Sequence, residues 1–161
     1  MNDLSVVRHN LEKVVQSLLK AHGGKIVAVA LFGSAARGEE YARSDMDFLV
    51  VVRGLPQSLE RRYLLYKPVH IALNEEAEKF TDVTLIDIDE SEILDEKLDV
   101  SPLLMNMAWD AKLIYDPEGK LKTFVNGVKR LIEAAGLERY GTEDGKYGWK
   151  PKAGRLRKVE V

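Results

Sequence analysis

The sequence predicts an α/β (α+β) domain, a small mixed β-sheet flanked by helices. Three observations predict it. Short apolar runs rich in Val, Ile and Ala, such as KIVAVALF and DMDFLVVV, have the length and content of buried strands. Longer stretches between them repeat apolar residues at helical spacing. The two kinds of segment alternate along the chain, as they do where helices cover a sheet.

The elements follow in order. Leu4, Val7, Leu11, Val14, Val15 and Leu18 mark a first amphipathic helix, capped by Asn2 or Asp3 and stopped by Gly23-Gly24. Lys25 to Phe32 is the first strand, and Gly33-Ser34 breaks it. Ala35 to Tyr41 has room for two helical turns at most. Asp45 to Val52 is a second strand, ended by Arg53-Gly54-Leu55-Pro56. Ser58 to Phe80 reads as helix, with Pro68 expected to kink or split it. Asp82 to Ile88 is a third strand, and Ser91 starts another helix. Ser101-Pro102 has the form of an N-cap followed by proline at the first helical position, with the helix running to about Ala111. Leu103, Leu104, Met107 and Trp109 are assigned to its core face. Lys112 to Tyr115 is a short strand, stopped by Asp116-Pro117-Glu118-Gly119. Leu121 to Ala135 is an amphipathic helix with Leu121, Phe124, Val125, Val128, Leu131 and Ile132 on one face.

Composition bounds the function. A chain of 161 residues fits one domain, and 45% hydrophobic content suffices for a core. The formal net charge of -2 provides no whole-chain basic field, so nucleic acid is not the expected partner. The absence of cysteine excludes disulfides and thiolate zinc sites. The charged, periodic N-terminus is unlike a signal peptide, and no apolar run approaches the roughly 18 residues of a membrane span. A cytoplasmic protein without membrane contact is expected. The division expected is a domain over 1–135 and a basic Gly/aromatic tail over 136–161. The tail segment YGWKPKAGRLRK interleaves aromatics and cations, which suits nucleic acid or a partner; a solvated terminal strand or loop is the preferred reading.

The chemistry concentrates in LFGSAARGEEYARSDMDFLVVV, from Leu31 to Val52. Asp45 and Asp47 lie two apart on a strand, so both side chains leave one face. Two adjacent carboxylates repel unless a cation lies between them, and an all-oxygen site suits Mg²⁺ or Mn²⁺. Gly33 permits a tight turn at the strand end, and Ser34 then opens a short helix where free N–H groups favour a phosphate. Arg37, one turn on, can add a cation to the same phosphates, or pair with Glu39, Glu40 or Asp47. If both strand ends meet at one site, the strands run antiparallel. A phosphate cradle then faces a metal pair, the arrangement that nucleotidyl transfer from a nucleoside triphosphate requires.

GSAARGEEYARSDMD is Gly-Ser, ten residues, then Asp-x-Asp. It resembles the signature of the DNA polymerase β-like nucleotidyltransferase superfamily, most closely its minimal nucleotidyltransferases. Gly33, Ser34, Arg37, Gly38, Ser44, Asp45 and Asp47 carry the match, and SPLLMNMAWDAKLIYD resembles the region after the core more loosely. The resemblance implies the polymerase β-like fold with C-terminal helices, a catalytic core over about 25–90 and a helical extension over about 91–135. It implies an Mg²⁺- or Mn²⁺-dependent enzyme that moves a nucleoside monophosphate from ATP, or another nucleoside triphosphate, to a hydroxyl. A tyrosine of a helical HEPN partner in a toxin–antitoxin module is the leading acceptor. Asp45 and Asp47 would hold the metal. Gly33, Ser34, Arg37 and Ser44 would bind the nucleotide, with a turn cap as the other role for Ser44. The family's third carboxylate falls on Asp82, Asp87 or Asp89; Asp82, which opens its strand, is preferred as catalytic residue and metal ligand, and Asp87 stays open. The alternative reading is a binding module that neutralises its partner by contact, with little or no turnover.

Overall fold

The computed structural model describes residues 3–37, 46–74, 83–94 and 100–152. In chain order the helices and strands are α1 (Asp3–His22), β1 (Ile26–Phe32), α2 (Gly33–Arg37), β2 (Met46–Val52), α3 (Leu59–Asn74) and β3 (Val83–Asp89). There follow α4 (Glu90–Leu94), α5 (Pro102–Asp110), β4 (Lys112–Tyr115), α6 (Lys120–Ala134), β5 (Leu137–Gly141) and β6 (Tyr147–Pro151).

The main sheet has the order β3-β2-β1-β4. β1 runs antiparallel to both of its neighbours, and β2 runs parallel to β3. The sheet is therefore mixed, as the sequence predicts. Helix α3 lies within the crossover that the parallel pair needs.

Every residue of β1 is buried, which requires cover on both faces of the sheet. Val14 and Leu18 of α1 and Val69 of α3 pack with Val29, Leu31, Phe48 and Val50 on one face. On the other, Leu104 and Met107 of α5 and Leu121, Val125 and Val128 of α6 pack with Ala30, Leu49, Val51 and Ile88. Each such aliphatic side chain contributes about 1.5–3 kcal/mol on burial. The β1–β2 register shifts between Ile26 and Ala28, so Val27 and Ala28 both pack on the α5–α6 side.

Local signals set the helix starts. Ser101 Oγ accepts from the Leu104 N–H at 3.2 Å, and Pro102 follows it in the first turn. The Asp116 carboxylate accepts from the N–H groups of Leu121 and Lys122, at 3.2 and 2.8 Å, at the start of α6. Arg53, in the turn after β2, donates to Glu90 and Glu118, and Lys120 donates to Glu90. That network ties the turn to the starts of α4 and α6.

Three features differ from the sequence reading. Of the kink or split expected at Pro68, the split does not occur: α3 runs from Leu59 to Asn74 with Pro68 inside it, and Val69 beside it is wholly buried. Leu103 and Trp109 are 54% and 39% exposed, not core. The buried stripe of α5 is Leu104, Met107 and Ala108, an i, i+3, i+4 set that leaves both neighbours facing out. Beyond Gly136, β5 and β6 pair as an antiparallel hairpin. Leu137 and Trp149 pack against the core, and Trp149 Nε1 donates to Asn106 Oδ1 at 3.0 Å. Asn106 Nδ2 in turn donates to the Tyr147 carbonyl at 3.2 Å. The rest of the tail, from 153 on, lies outside the described residues. Among the described residues no helix is long and apolar enough to cross a membrane.

Candidate active site

Antiparallel pairing of β1 and β2 sets Phe32 opposite Asp47. The chain leaves β1 at Gly33, whose φ is +75°, and turns directly into α2. A β-carbon on Gly33 would stand 2.5 Å from Asp47 Oδ2 and 3.4 Å from Asp47 Cγ. Only glycine permits both that backbone angle and that approach. The Gly-Ser turn and the second aspartate of Asp-x-Asp thus meet at one end of the sheet, Asp47 half-buried between Met46 and Phe48, both of which are buried.

Gly33 and Asp47 are the predicted site residues that the structure brings together. Ser34 lies in the first turn of α2, with only its backbone described. Ser44, Asp45 and Asp82 lie outside the described residues, as do Gly38, Glu39 and Glu40. Among the described residues no group of three or more His, Asp or Glu is gathered that could hold a metal ion.

β3 runs parallel to β2 in the register Met46↔Val83 and Asp47↔Thr84. Paired residues of parallel strands share a face, so Asp47 and Thr84 lie on the α5–α6 side, with Leu49 and Ile86. Asp87 and Asp89 alternate to the other side. The Tyr66 hydroxyl donates to Asp87 Oδ2 at 2.7 Å, and Arg62 Nη1 lies 3.7 Å from Asp87 Oδ1. Burial, and then the bond to Asp87, push the Tyr66 hydroxyl far above its ordinary pKa. Asp89 accepts from the Ser91 hydroxyl at 2.6 Å and from the Leu55 N–H at 2.7 Å, which hold its pKa below the usual carboxylate value. These two aspartates anchor β3 to α3 and to the turns beside it.

Arg37 shows what sequence reasoning missed. Its Nη1 donates to Asp110 Oδ2 at 2.8 Å, and its guanidinium lies 4.6 Å from the Tyr147 ring centre. Arg139 Nη1 donates to both oxygens of the same Asp110 at 2.9 Å and lies 4.3 Å from the same ring. The Asp110 side chain is only 5% exposed. One carboxylate is thus shared by a guanidinium from the motif and one from the hairpin. A faint signal was legible in the sequence. Asp110 ends α5, where the helix dipole disfavours an anion, so a buried acid there calls for cations. The cations recruited are Arg139, 29 positions away on the hairpin, and Arg37, 73 positions away on α2.

The chain is similar to several known proteins. A family model described as "Polymerase beta, Nucleotidyltransferase" matches residues 12–115. A Methanocaldococcus jannaschii protein named "Putative protein adenylyltransferase MJ1305" is 26% identical over 136 residues, covering 81% of this chain and 86% of that one. Among solved structures, a toxin–antitoxin complex with AMP-PNP aligns over 78% of this chain and 88% of its own, at TM-score 0.51 and 21% identity. Spectinomycin adenyltransferase AAD(9) from Enterococcus faecialis, solved with ATP and spectinomycin, aligns over 80% of this chain and 65% of its own, at TM-score 0.56 and 18% identity. The two structures share the fold. With more than half of the chain matched, the protein belongs to the polymerase β-type nucleotidyltransferase family.

Proposed function

We propose that the protein is a Mg²⁺-dependent protein nucleotidyltransferase that moves AMP from ATP to a hydroxyl of a partner protein. The observation that carries the proposal is the contact of Asp47 with the Gly33 turn, which joins the carboxylate strand to the phosphate-binding turn. The similarity to a relative named as a protein adenylyltransferase favours a protein acceptor. A tyrosine of a HEPN-type helical partner is the acceptor the motif resemblance favours, with neutralisation of that partner as the biological result.

The donor set fits a hard divalent cation. Asp47 supplies carboxylate oxygen beside the turn. In the sequence Asp45 and Asp82 directly precede Met46 and Val83, which pair at the end of β2 that carries Asp47. Asp87 and Asp89 are engaged from the other face, which favours Asp82 as the third carboxylate. Asp45, Asp47 and Asp82 would hold the ion, which when bound would neutralise charge on the triphosphate. Backbone N–H groups at Gly33 and Ser34 would hold the β- and γ-phosphates. The acceptor oxygen would attack the α-phosphorus as the bond to pyrophosphate breaks, its proton passing to Asp82. Catalysis is then positioning and charge stabilisation by fixed groups.

The test is transfer of label from α-labelled ATP with Mg²⁺ to a co-expressed partner. Labelled partner is expected with the wild type and none with Asp45→Asn or Asp47→Asn. Neutralisation undiminished in both variants, with no label ever transferred, would sink the enzyme reading and leave inhibition by contact.

A further inference from the structure

We infer that Asp110, Arg139 and Tyr147 are positioning residues for Arg37, and that the C-terminal hairpin is thereby part of the nucleotide site. The inference rests on the reading of the Gly33–Arg37 segment as the phosphate-binding turn.

Arg37 is the last residue of a five-residue helix that begins at Gly33. Whatever holds its guanidinium therefore holds the whole turn beside Asp47. The holding groups come from two separate parts of the chain. Asp110, at the end of α5, accepts from Arg37 at 2.8 Å. The ring of Tyr147, on β6, has guanidinium groups at 4.6 and 4.3 Å from its centre, Arg37's and Arg139's. Arg139, on β5, donates to both oxygens of Asp110 and so fixes the carboxylate that Arg37 uses.

Burial makes this arrangement demanding. The side chains of Arg37, Asp110 and Arg139 are 17%, 5% and 16% exposed. A carboxylate so buried, at a helix end that disfavours it, is stable only with charged donors in place. Arginine is suited to the role, because its planar fork bonds a carboxylate and stacks on an aromatic ring at once. An arginine ordered before the nucleotide arrives loses no rotamer freedom on binding. The hairpin is itself anchored, through Trp149 and Asn106, on the helix that carries Asp110. It lies outside residues 12–115, the extent of the family match.

A double-mutant cycle on ATP binding tests the inference. Affinity for Mg²⁺-ATP is measured by calorimetry on the full chain for wild type, Arg37→Ala, Arg139→Ala and the double variant. Circular dichroism checks that each is folded at the working temperature. Arg139→Ala is expected to weaken binding about tenfold alone and to add little in the Arg37→Ala background, a coupling typical of contacting residues. Arg139→Lys should restore part of the loss, keeping the charge without the fork. The inference is overturned if Arg139→Ala binds ATP as the wild type does, or loses the same factor with and without Arg37. If Arg37→Ala itself leaves binding unchanged, the phosphate role of Arg37 fails and the inference fails with it. That result is distinct, because Arg37→Ala lowers affinity in the other outcomes. Asp110→Asn is a second probe, and should it not fold, the arginine variants carry the test alone.

Discussion

Asp47 Oδ2 occupies the space beside Gly33 so closely that a β-carbon there would be 2.5 Å away. The turn that ends β1 and the carboxylate that opens β2 are therefore one unit. Gly33→Ala must both strain a backbone at φ +75° and displace the carboxylate. We expect a loss of roughly 1–3 kcal/mol in stability from the backbone strain alone, read by chemical denaturation. Nucleotide transfer should fall further than stability does, because the displaced group is the proposed metal ligand. A fully active Gly33→Ala enzyme would argue that Asp47 is not used.

The third carboxylate can be separated from its alternative. Asp87 is bonded to Tyr66 and lies near Arg62, on the face away from Asp47. Asp82→Asn is expected to lower the rate of nucleotide transfer by at least about a hundredfold, the lower end for a positioned base. Asp87→Asn should leave that rate within a few-fold and act on stability instead. The reverse pattern in initial rates would assign the role to Asp87.

Tyr66 supports the same separation. Its buried hydroxyl is Asp87's donor at 2.7 Å. Tyr66→Phe removes that donor and leaves a partly buried acceptor short of a partner, a loss of about 1–3 kcal/mol. Denaturation midpoints should fall accordingly while the affinity for Mg²⁺-ATP is unchanged. An affinity loss with stability intact would place Tyr66 in the site.

Glu90 sets an acid limb. Its carboxyl is held from 4.5 down to about 2, first by the hydrogen bond from Arg53 and then by that from Lys120. The folded state thus binds this proton more weakly than the unfolded chain does. The contribution is full above about pH 4.5 and is lost as pH falls toward 2. Arg53 is 48% exposed, so the effect is modest and screened by salt. Denaturation at stepped pH should show a shallower decline for Glu90→Gln than for the wild type over that window. Equal slopes would assign the acid limb to other carboxylates.

Much of this was legible in the sequence. The strands at Ile26–Phe32, Met46–Val52, Val83–Asp89 and Lys112–Tyr115 lie within a residue of the stretches that apolar runs mark out. Short runs of buried β-branched residues have few other options. The Ser101-Pro102 start of α5 is equally local, since the cap acts through a bond three residues away. Of the site, the meeting of Gly33 with Asp47 was legible from the motif. The pairing of Arg37 with Asp110 was not, because 73 residues separate the two in the chain.

The sequence by itself determined the alternation of helices and strands, the mixed α/β class and the pairing of a Gly-Ser turn with an Asp-x-Asp strand. Those features rest on periodicity, caps and motif spacing, all of which act over a few residues. Tertiary structure alone decided which face of β3 each aspartate takes relative to Asp47, and that α5 and a C-terminal hairpin converge on Arg37. A buried charge finds its partner by what the folded chain brings within about 4 Å, where attraction in a poorly solvated site outweighs sequence distance. Asp110 and Arg37 stand 73 residues apart in the chain and 2.8 Å apart in the fold.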